Sequence, residues 1–218
     1  MTMNPFDSTL QRSFPTIMVP TREPVAGMTT AGERLLVASN GVFIEIFRPW
    51  IRLIRRISSY AVSTAIPYGV VEEVSELLCG RVPPELIGAF AEQARAACPN
   101  ETGGWIVWNP GTKAFRLVPV VVLSHDSASL RYDRPQLPDD EVLVVDCHSH
   151  GCFAAGFSTT DDQDDRFDVK FAVVLGRCHT RSMDVALRLC AKGIFERSHN
   201  IPVSWLDAVG EANDVAAT

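Results

Sequence analysis

The chain has 218 residues, which is long enough for one substantial domain and a smaller one. Hydrophobic residues make up 46% of it and charged residues 21%, a globular composition that excludes a largely disordered chain. The formal net charge of −6 provides no general attraction to nucleic acid, and no run of about 18 uncharged apolar residues predicts a membrane span.

The cysteines and the first residues indicate the cellular compartment. Six cysteines occur at no regular spacing and within apolar segments, which is typical of reduced thiols and not of a disulfide framework. The segment Met1–Asp7 lacks the basic and then apolar pattern of a signal peptide. We therefore expect a soluble, cytoplasmic protein.

Residues 1–80 predict a small β-rich region. Arg34–Ser39 and Val42–Phe47 are short runs of strand-forming residues, and Asn40-Gly41 between them is a strong hairpin signal. The pattern of Arg48–Ile57 fits either a strand or a helix. Nothing in these residues indicates what the region binds.

Residues 81–200 predict a second domain that begins with a helix. Apolar residues recur along one stripe of Pro83–Cys98, and proline at its start favours helix initiation there. Strands are predicted at Trp105–Trp108 and Ala114–Leu123, with a turn at Asn109–Gly111 between them.

A polar stretch, Ser124–Glu141, leads from these strands to an apolar run, Glu141–Cys147, that predicts a buried strand. Ser158–Asp161 is a capping-box pattern that should begin a helix, and Val169–Gly176 is the next predicted strand. This order of elements predicts an α+β fold. Residues 201–218 are expected to be a C-terminal tail.

Two histidines at alternate positions follow the buried strand. If His148 and His150 end that strand, both imidazoles project from one face. Zinc binds imidazole nitrogen at about 2.0–2.1 Å, and Asp161 offers a carboxylate oxygen as a third ligand. Three protein ligands leave the fourth tetrahedral position to water, which is typical of a hydrolytic site. We expect one zinc ion per chain at this motif.

The spacing His-x-His, seven residues, Ser, two residues, Asp resembles that of the JAMM (MPN-plus) metalloproteases, zinc isopeptidases that cleave ubiquitin-like proteins from their targets. The residues in register with that motif are His148, His150, Ser158 and Asp161. Glu101 matches the glutamate that the family carries before an earlier strand. Gly151 stands where the family usually has proline, which changes the loop but no ligand. The resemblance covers residues 83–177.

The resemblance implies a JAMM/MPN-like mixed β-sheet flanked by helices, after the β-rich region. It implies zinc on His148, His150 and Asp161, with Glu101 as the general base that takes a proton from water and delivers it to the leaving amine. Ser158 is implied to donate a hydrogen bond to the developing oxyanion. Its hydroxyl equally fits a helix cap, and the sequence leaves both roles open.

The implied function is zinc-dependent hydrolysis of the amide bond at the C-terminus of a ubiquitin-like protein, which makes the chain a deconjugating isopeptidase. The alternatives are C-terminal processing of a ubiquitin-like or sulfur-carrier precursor, and a non-catalytic MPN-type scaffold. The string from His148 to Asp165 also resembles JAMM proteins of bacterial gene cassettes that carry ubiquitin-activating-like enzymes. Expected partners are therefore a ubiquitin-like modifier, its conjugates, and activating- and conjugating-enzyme-like proteins, without a membrane or nucleic acid.

Other residues near the motif have less specific interpretations. Asp146 fits a residue that orients an imidazole as well as it fits a solvated acid. Cys147 and Cys152 are predicted to be core thiols. Beyond Asp161, the acidic run to Asp165 predicts a solvated helix face or a negative field beside the metal.

The remaining histidines, His125, His179 and His199, are predicted to be structural. The arginines Arg48, Arg52, Arg55 and Arg56 form a basic patch that predicts a solvated face, with a surface for an anionic partner as the alternative. Gly151 and Gly156 are expected to let the loop after the histidines approach a substrate tail closely.

Overall fold

A computed structural model describes residues 4–62 and 64–211. The chain divides into two compact units, with the boundary in the sequence between Gly80 and Arg81. Over the described residues it combines four helices with mixed sheets, so the predicted α+β class and the β-rich N-terminal region are confirmed. None of the helices in this part of the chain has the length and apolar character that crossing a bilayer requires.

The first unit is a five-stranded sheet with one helix. Its elements are α1 (Pro5–Ser13), β1 (Thr16–Met18), β2 (Gly32–Ala38), β3 (Gly41–Arg48), β4 (Ile51–Ser58) and β5 (Val74–Leu77). The strands lie in chain order; β1 is parallel to β2, and the others are antiparallel. The predicted hairpin at Asn40-Gly41 is confirmed, and most of the segment Arg48–Ile57 lies in a strand.

Ion pairs inside this unit use arginines that were expected to be solvated. Glu45 is fully buried, and its carboxylate lies 2.6 Å from Arg34 and 2.9 Å from Arg52. Arg48 also pairs with Glu33. Because a buried carboxylate needs a partner charge, Glu45 holds Arg34 and Arg52 in ion pairs on the sheet. The prediction of a solvated basic face is therefore wrong for Arg48 and Arg52.

The second unit contains a six-stranded sheet, a separate hairpin and three helices among the described residues. Its helices are α2 (Pro84–Ala97), α3 (Thr159–Asp165) and α4 (Val203–Glu211). Its strands are β6 (Gly103–Trp108), β7 (Phe115–Pro119), β8 (Val121–His125), β9 (Leu130–Asp133), β10 (Val142–Ser149), β11 (Val169–Gly176), β12 (Asp184–Ala191) and β13 (Ile194–Arg197). The order in the sheet is β13-β12-β11-β10-β6-β7.

The centre of this sheet determines where the histidines lie. β10 is parallel to β11, with α3 in the connection between them, and antiparallel to β6. His148 is paired with Val174 on one side and with Gly103 on the other. Since antiparallel strands run in opposite directions, the end of β10 lies beside the start of β6. Glu101, two residues before β6, is thereby brought close to His148.

The helix α2 covers part of the sheet, and α4 packs against α2. The predicted apolar stripe of α2 is confirmed at Ile87, Phe90 and Ala94, which are buried together with Ala91, whereas Cys98 at its end is half-buried. Residues 203–211, which were expected to belong to a tail, instead form α4, whose Trp205 indole N–H donates to the Val82 carbonyl at 3.4 Å. The apolar side chains of Trp205 and Val209 are buried, which explains the helix. The rest of the expected tail, 212–218, lies outside the described residues.

The segment Ala114–Leu123 is two strands and not the single strand predicted. β7 pairs with β6, whereas β8 pairs with β9 in a separate hairpin. Pro119 ends β7 because proline has no N–H to donate to a further ladder. β9 lies within the polar stretch Ser124–Glu141, so part of that stretch is ordered as a strand.

Candidate metal centre

The side chains of His148, His150 and Asp161 bring three metal-binding atoms together. The Nε2 atoms of the two imidazoles are 3.2 Å apart, and Asp161 Oδ1 lies 3.5 Å from His148 Nε2. All three donor atoms lie within 4.8 Å of one another. Two ligands on one tetrahedral zinc, each at about 2.0–2.1 Å, would be about 3.3–3.4 Å apart. The donor set and its spacing therefore fit zinc.

The surroundings of the histidines favour the form that binds a metal. Burial lowers the pKa of His148, while the charge of Asp161 opposes that shift. A neutral imidazole is therefore favoured. His150 Nδ1 lies 3.2 Å from the Ala154 carbonyl oxygen. A neutral ring that donates its Nδ1–H there directs the Nε2 lone pair toward His148, as metal-ligating histidines usually do.

Ser158 begins α3 and fixes the carboxylate of Asp161. The Ser158 backbone N–H and hydroxyl reach Asp161 Oδ2 at 2.6 and 2.7 Å, and the Asp161 N–H lies 3.2 Å from Ser158 Oγ. The predicted capping box is confirmed. Because Oδ2 is engaged, Oδ1 is left to face His148. The serine hydroxyl acts as a cap in this structure, and its role toward an oxyanion stays a prediction.

Glu101 lies in the same cleft but outside the cluster of donor atoms. The cleft has a volume of about 830 Å³ and is lined by all five residues that the motif singled out. Burial raises the pKa of Glu101, an effect that His150 opposes and Asp161 reinforces. A carboxylate beside the donor atoms is in position to exchange a proton with a water molecule between them.

The backbone of Glu101 is held by the hairpin β8–β9. Its N–H donates to the Asp126 carbonyl at 2.8 Å, and its carbonyl oxygen lies 2.7 Å from His125 Nδ1. His125 therefore has the kind of structural contact that was predicted for it. The hairpin also closes one side of the cleft, where Leu123 and Leu130 are among the lining residues.

Lys170 on β11 joins the sheet to α3 behind the histidines. Its Nζ lies 2.6 Å from Asp146 and 2.7 Å from Asp165. Burial alone would lower the pKa of Lys170, but the two carboxylates raise it above its ordinary value. Asp146 is thus paired with a lysine, whereas the sequence offered an imidazole or solvent as its surroundings.

Arg188 on β12 makes a second attachment. Its guanidinium lies 2.7 Å from Asp165 and also contacts Asp162, and it packs over the rings of Phe157 and Phe195. Asp165 is buried, so the prediction of a solvated helix face is wrong at this position. The sequence patterns did not single out Lys170 and Arg188. Their signal was a single cation inside each of two apolar strands that follow an acidic run.

The two cysteines that flank the motif have different surroundings. Cys147 is buried, as predicted, but Cys152 is exposed, so the prediction of a core thiol there is wrong. Gly151 has φ +52°, which turns the chain out of the β10 ladder before Cys152.

Comparison with known proteins found one family model that matches most of each unit. Residues 83–189 match the family model described as prokaryotic homologs of the JAB domain, and residues 4–78 match a domain of unknown function, DUF2016. The chain therefore contains a prokaryotic JAB/MPN-homolog domain preceded by a DUF2016 domain. The JAB domain family includes metalloproteases, but its prokaryotic homologs are often non-catalytic.

A solved structure similar to this chain is the solution structure of protein DSY2949 from Desulfitobacterium hafniense. It is 16% identical, with a TM-score of 0.41, and the alignment covers 54% of this chain and 88% of that one. Among curated proteins, no match was found.

Proposed function

We propose that the JAB-like domain is a zinc-dependent isopeptidase that hydrolyses the amide bond at the C-terminus of a ubiquitin-like protein. The observation that carries the proposal is the set of donor atoms on His148, His150 and Asp161, with Glu101 beside it in one cleft. A non-catalytic scaffold would have no need for all four side chains in this arrangement. The proposal agrees with the presence of metalloproteases in the JAB domain family.

Amide hydrolysis needs an activated water, a polarised carbonyl and a proton for the leaving amine. Zinc held by His148, His150 and Asp161 would supply Lewis acidity to the carbonyl and acidify a water. Glu101 takes the proton from that water and delivers it to the leaving lysine amine. The raised pKa of Glu101 favours its acid form in the second step.

The rim of the cleft offers apolar side chains to a substrate tail. Leu123 on the hairpin and Phe153 in the loop after β10 line the cleft, and both are 58% exposed. An extended C-terminal tail would gain main-chain hydrogen bonds by strand addition, while its side chains contact these residues. Tail recognition is therefore assigned to the hairpin β8–β9 and the loop Gly151–Phe157.

The motif string from His148 to Asp165 resembles more closely protein A of the bacterial PRTRC system, a JAMM protein of cassettes with activating-like enzymes. On that resemblance we propose that the chain acts beside proteins similar to an activating enzyme, a conjugating enzyme and a small modifier, in the cytoplasm. The DUF2016 domain is then a candidate for contacts with such partners.

The test uses the full chain and a ubiquitin-like modifier encoded in the same gene neighbourhood. The modifier is supplied as a lysine conjugate and as a C-terminally extended precursor, with and without a chelator, and the Glu101→Gln variant is the matched control. We expect cleavage of the conjugate that the chelator stops and added zinc restores. Cleavage of the precursor alone would favour processing, and no cleavage by zinc-loaded protein would favour a scaffold.

A further inference from the structure

A second cluster of metal-binding side chains lies apart from the donor atoms of the first. Cys98, Cys152 and His179 each offer one donor atom, and these atoms lie within 4.8 Å of one another. The two Sγ atoms are 3.5 Å apart. Two thiolates on one tetrahedral zinc, each at about 2.3 Å, would be about 3.8 Å apart. The spacing of the sulfurs is therefore close to that of two ligands of one ion.

Backbone contacts bring the three segments together. Cys98 caps the end of α2, and the next residue, Pro99, lies directly against Gly151. A Cβ on Gly151 would be 2.1 Å from the Pro99 carbonyl oxygen, so only glycine permits this approach. The N–H of Cys178 donates to the Gly151 carbonyl at 2.8 Å. Main-chain packing thus brings the three segments of the cluster together.

The half-buried Arg95 lies near Cys178, next to the cluster residue His179. Both terminal nitrogens of Arg95 are buried without a hydrogen-bond partner among the described residues. Arg95 is close enough to affect Cys178. Burial, together with negative charge on Cys98 and Cys152, raises the pKa of that thiol to about 11, and Arg95 opposes the shift. An unpaired buried guanidinium is costly. Metal-bound thiolates would supply the negative charge that compensates it.

We propose that Cys98, Cys152 and His179 bind a second zinc ion, separate from the one at His148, His150 and Asp161. Thiolate and imidazole are the ligands of structural zinc sites. The converging cluster supplies three protein ligands, because the Cys178 thiol lies nearby but is not among the atoms within 4.8 Å of one another, and the fourth tetrahedral position is left to water. The sequence assigned His179 a structural role without a partner, because its ligand companions lie 27 and 81 positions away in the chain.

This zinc would stabilise the turn that carries a ligand of the first centre. Cys152 follows His150 by two residues, and the Phe153 N–H donates to the His150 carbonyl at 2.9 Å. An ion on Cys152 ties this turn to the end of α2 and to the segment after β11. Loss of the ion is therefore expected to loosen the turn.

The test measures zinc per chain in protein purified with a reductant and without a chelator. We expect about two zinc ions in the unaltered chain and about one in a Cys98→Ser, Cys152→Ser variant. A His148→Ala, Asp161→Asn variant should also retain about one. Cys79→Ser, which alters a half-buried thiol of the first unit, is the matched control and should retain two.

Cobalt substitution distinguishes the site with sulfur ligands from the site without them. Sulfur-to-cobalt charge-transfer absorption should persist in the His148→Ala, Asp161→Asn variant and disappear in His179→Ala and in the double cysteine variant. Unchanged zinc in the cysteine variant, or a Cys98–Cys152 disulfide with a single zinc in the unaltered chain, would overturn the proposal. If the double cysteine variant loses zinc but the His148→Ala, Asp161→Asn variant loses none, the site at Cys98, Cys152 and His179 is supported. The same result would contradict the proposed isopeptidase centre.

Discussion

The Ser158 hydroxyl donates its hydrogen to Asp161 Oδ2 at 2.7 Å. That contact belongs to the cap of α3, and it leaves Asp161 Oδ1 free to face His148 at 3.5 Å. One serine thus begins the helix and orients a candidate zinc ligand. A hydroxyl has a single hydrogen to donate, so Ser158 must release Asp161 before it can donate to an oxyanion.

Removal of the serine hydroxyl tests this coupling. Ser158→Ala should lower the free energy of unfolding by about 0.5–2 kcal/mol through the lost cap. It should also weaken zinc binding about 10–100-fold, as loss of a contact to a metal ligand typically does. Urea unfolding and zinc titration measure the two effects. Ser158→Thr keeps a hydroxyl and should restore both; failure to restore zinc affinity would separate the cap from ligand orientation.

The first metal centre predicts a defined loss of zinc. A His148→Ala, His150→Ala variant should contain about one zinc ion fewer per chain than the unaltered protein, because two of three ligands are gone. Elemental analysis checks this. His199→Ala, on an exposed histidine far along the chain from the motif, is the control and should lose none. Undiminished zinc in the double variant would remove His148 and His150 from the metal site.

Glu101 should matter for turnover and not for metal content. Glu101→Gln keeps the shape of the side chain but cannot exchange a proton as a carboxylate does. We expect normal zinc content and a loss of about 10²–10⁴-fold in the rate of conjugate cleavage. Glu92→Gln on the exposed side of α2 is the matched control. Near-normal rates in Glu101→Gln would mean that another group moves the proton.

Two glycines of the same loop should differ in their tolerance of a side chain. A Cβ on Gly151 meets the Pro99 carbonyl oxygen, and its φ of +52° is unfavourable for other residues, whereas a Cβ on Gly156 meets nothing within 4 Å. Gly151→Ala should therefore lower the free energy of unfolding by at least about 1–3 kcal/mol. Gly156→Ala should not, so it is the cleaner probe of substrate approach. Equal stability of the two variants would contradict the close contact.

Lys170 should be essential for the stability of the second unit. Lys170→Met leaves the Asp146 carboxylate without its buried partner and Asp165 with Arg188 as its remaining buried partner, which should cost about 3–5 kcal/mol in the free energy of unfolding. Lys113→Met is the control; this lysine is exposed and its Nζ lies 5.0 Å from the centroid of the Trp108 ring, so its loss should cost no more than about 0.5–1 kcal/mol by urea unfolding. A loss below about 1 kcal/mol would indicate that solvent replaces the lysine.

The same variant should alter the dependence of stability on pH. Burial would raise the pKa of Asp165, but Lys170 and Arg188 lower it below its ordinary value. Its contribution to stability is therefore present above the unfolded pKa of about 3.9 and lost as pH falls through the folded value. In Lys170→Met much of that contribution is absent at neutral pH. The difference in stability between the two proteins should accordingly narrow in acid.

Local patterns in the sequence were sufficient for several elements. The Asn40-Gly41 hairpin, the helix α2, the capping box at Ser158 and the strand Val169–Gly176 depend on turn residues, periodicity and caps within a few positions, so they follow from the sequence alone. The alternation of His148 and His150 is equally local. The break at Pro119 and the helix α4 were missed because they depend on which strands and helices are available as partners.

What the sequence by itself determined is the set of candidate zinc ligands and the α+β order of elements, because both are expressed in short-range spacing. The tertiary structure alone decided that Glu101 shares a cleft with them, since an antiparallel pairing of β6 with β10 brings residues 47 positions apart together. It alone decided that Lys170 is a buried partner of two acids and that Cys98, Cys152 and His179 converge. Contacts of this kind arise from sheet order and backbone packing, which no local pattern specifies.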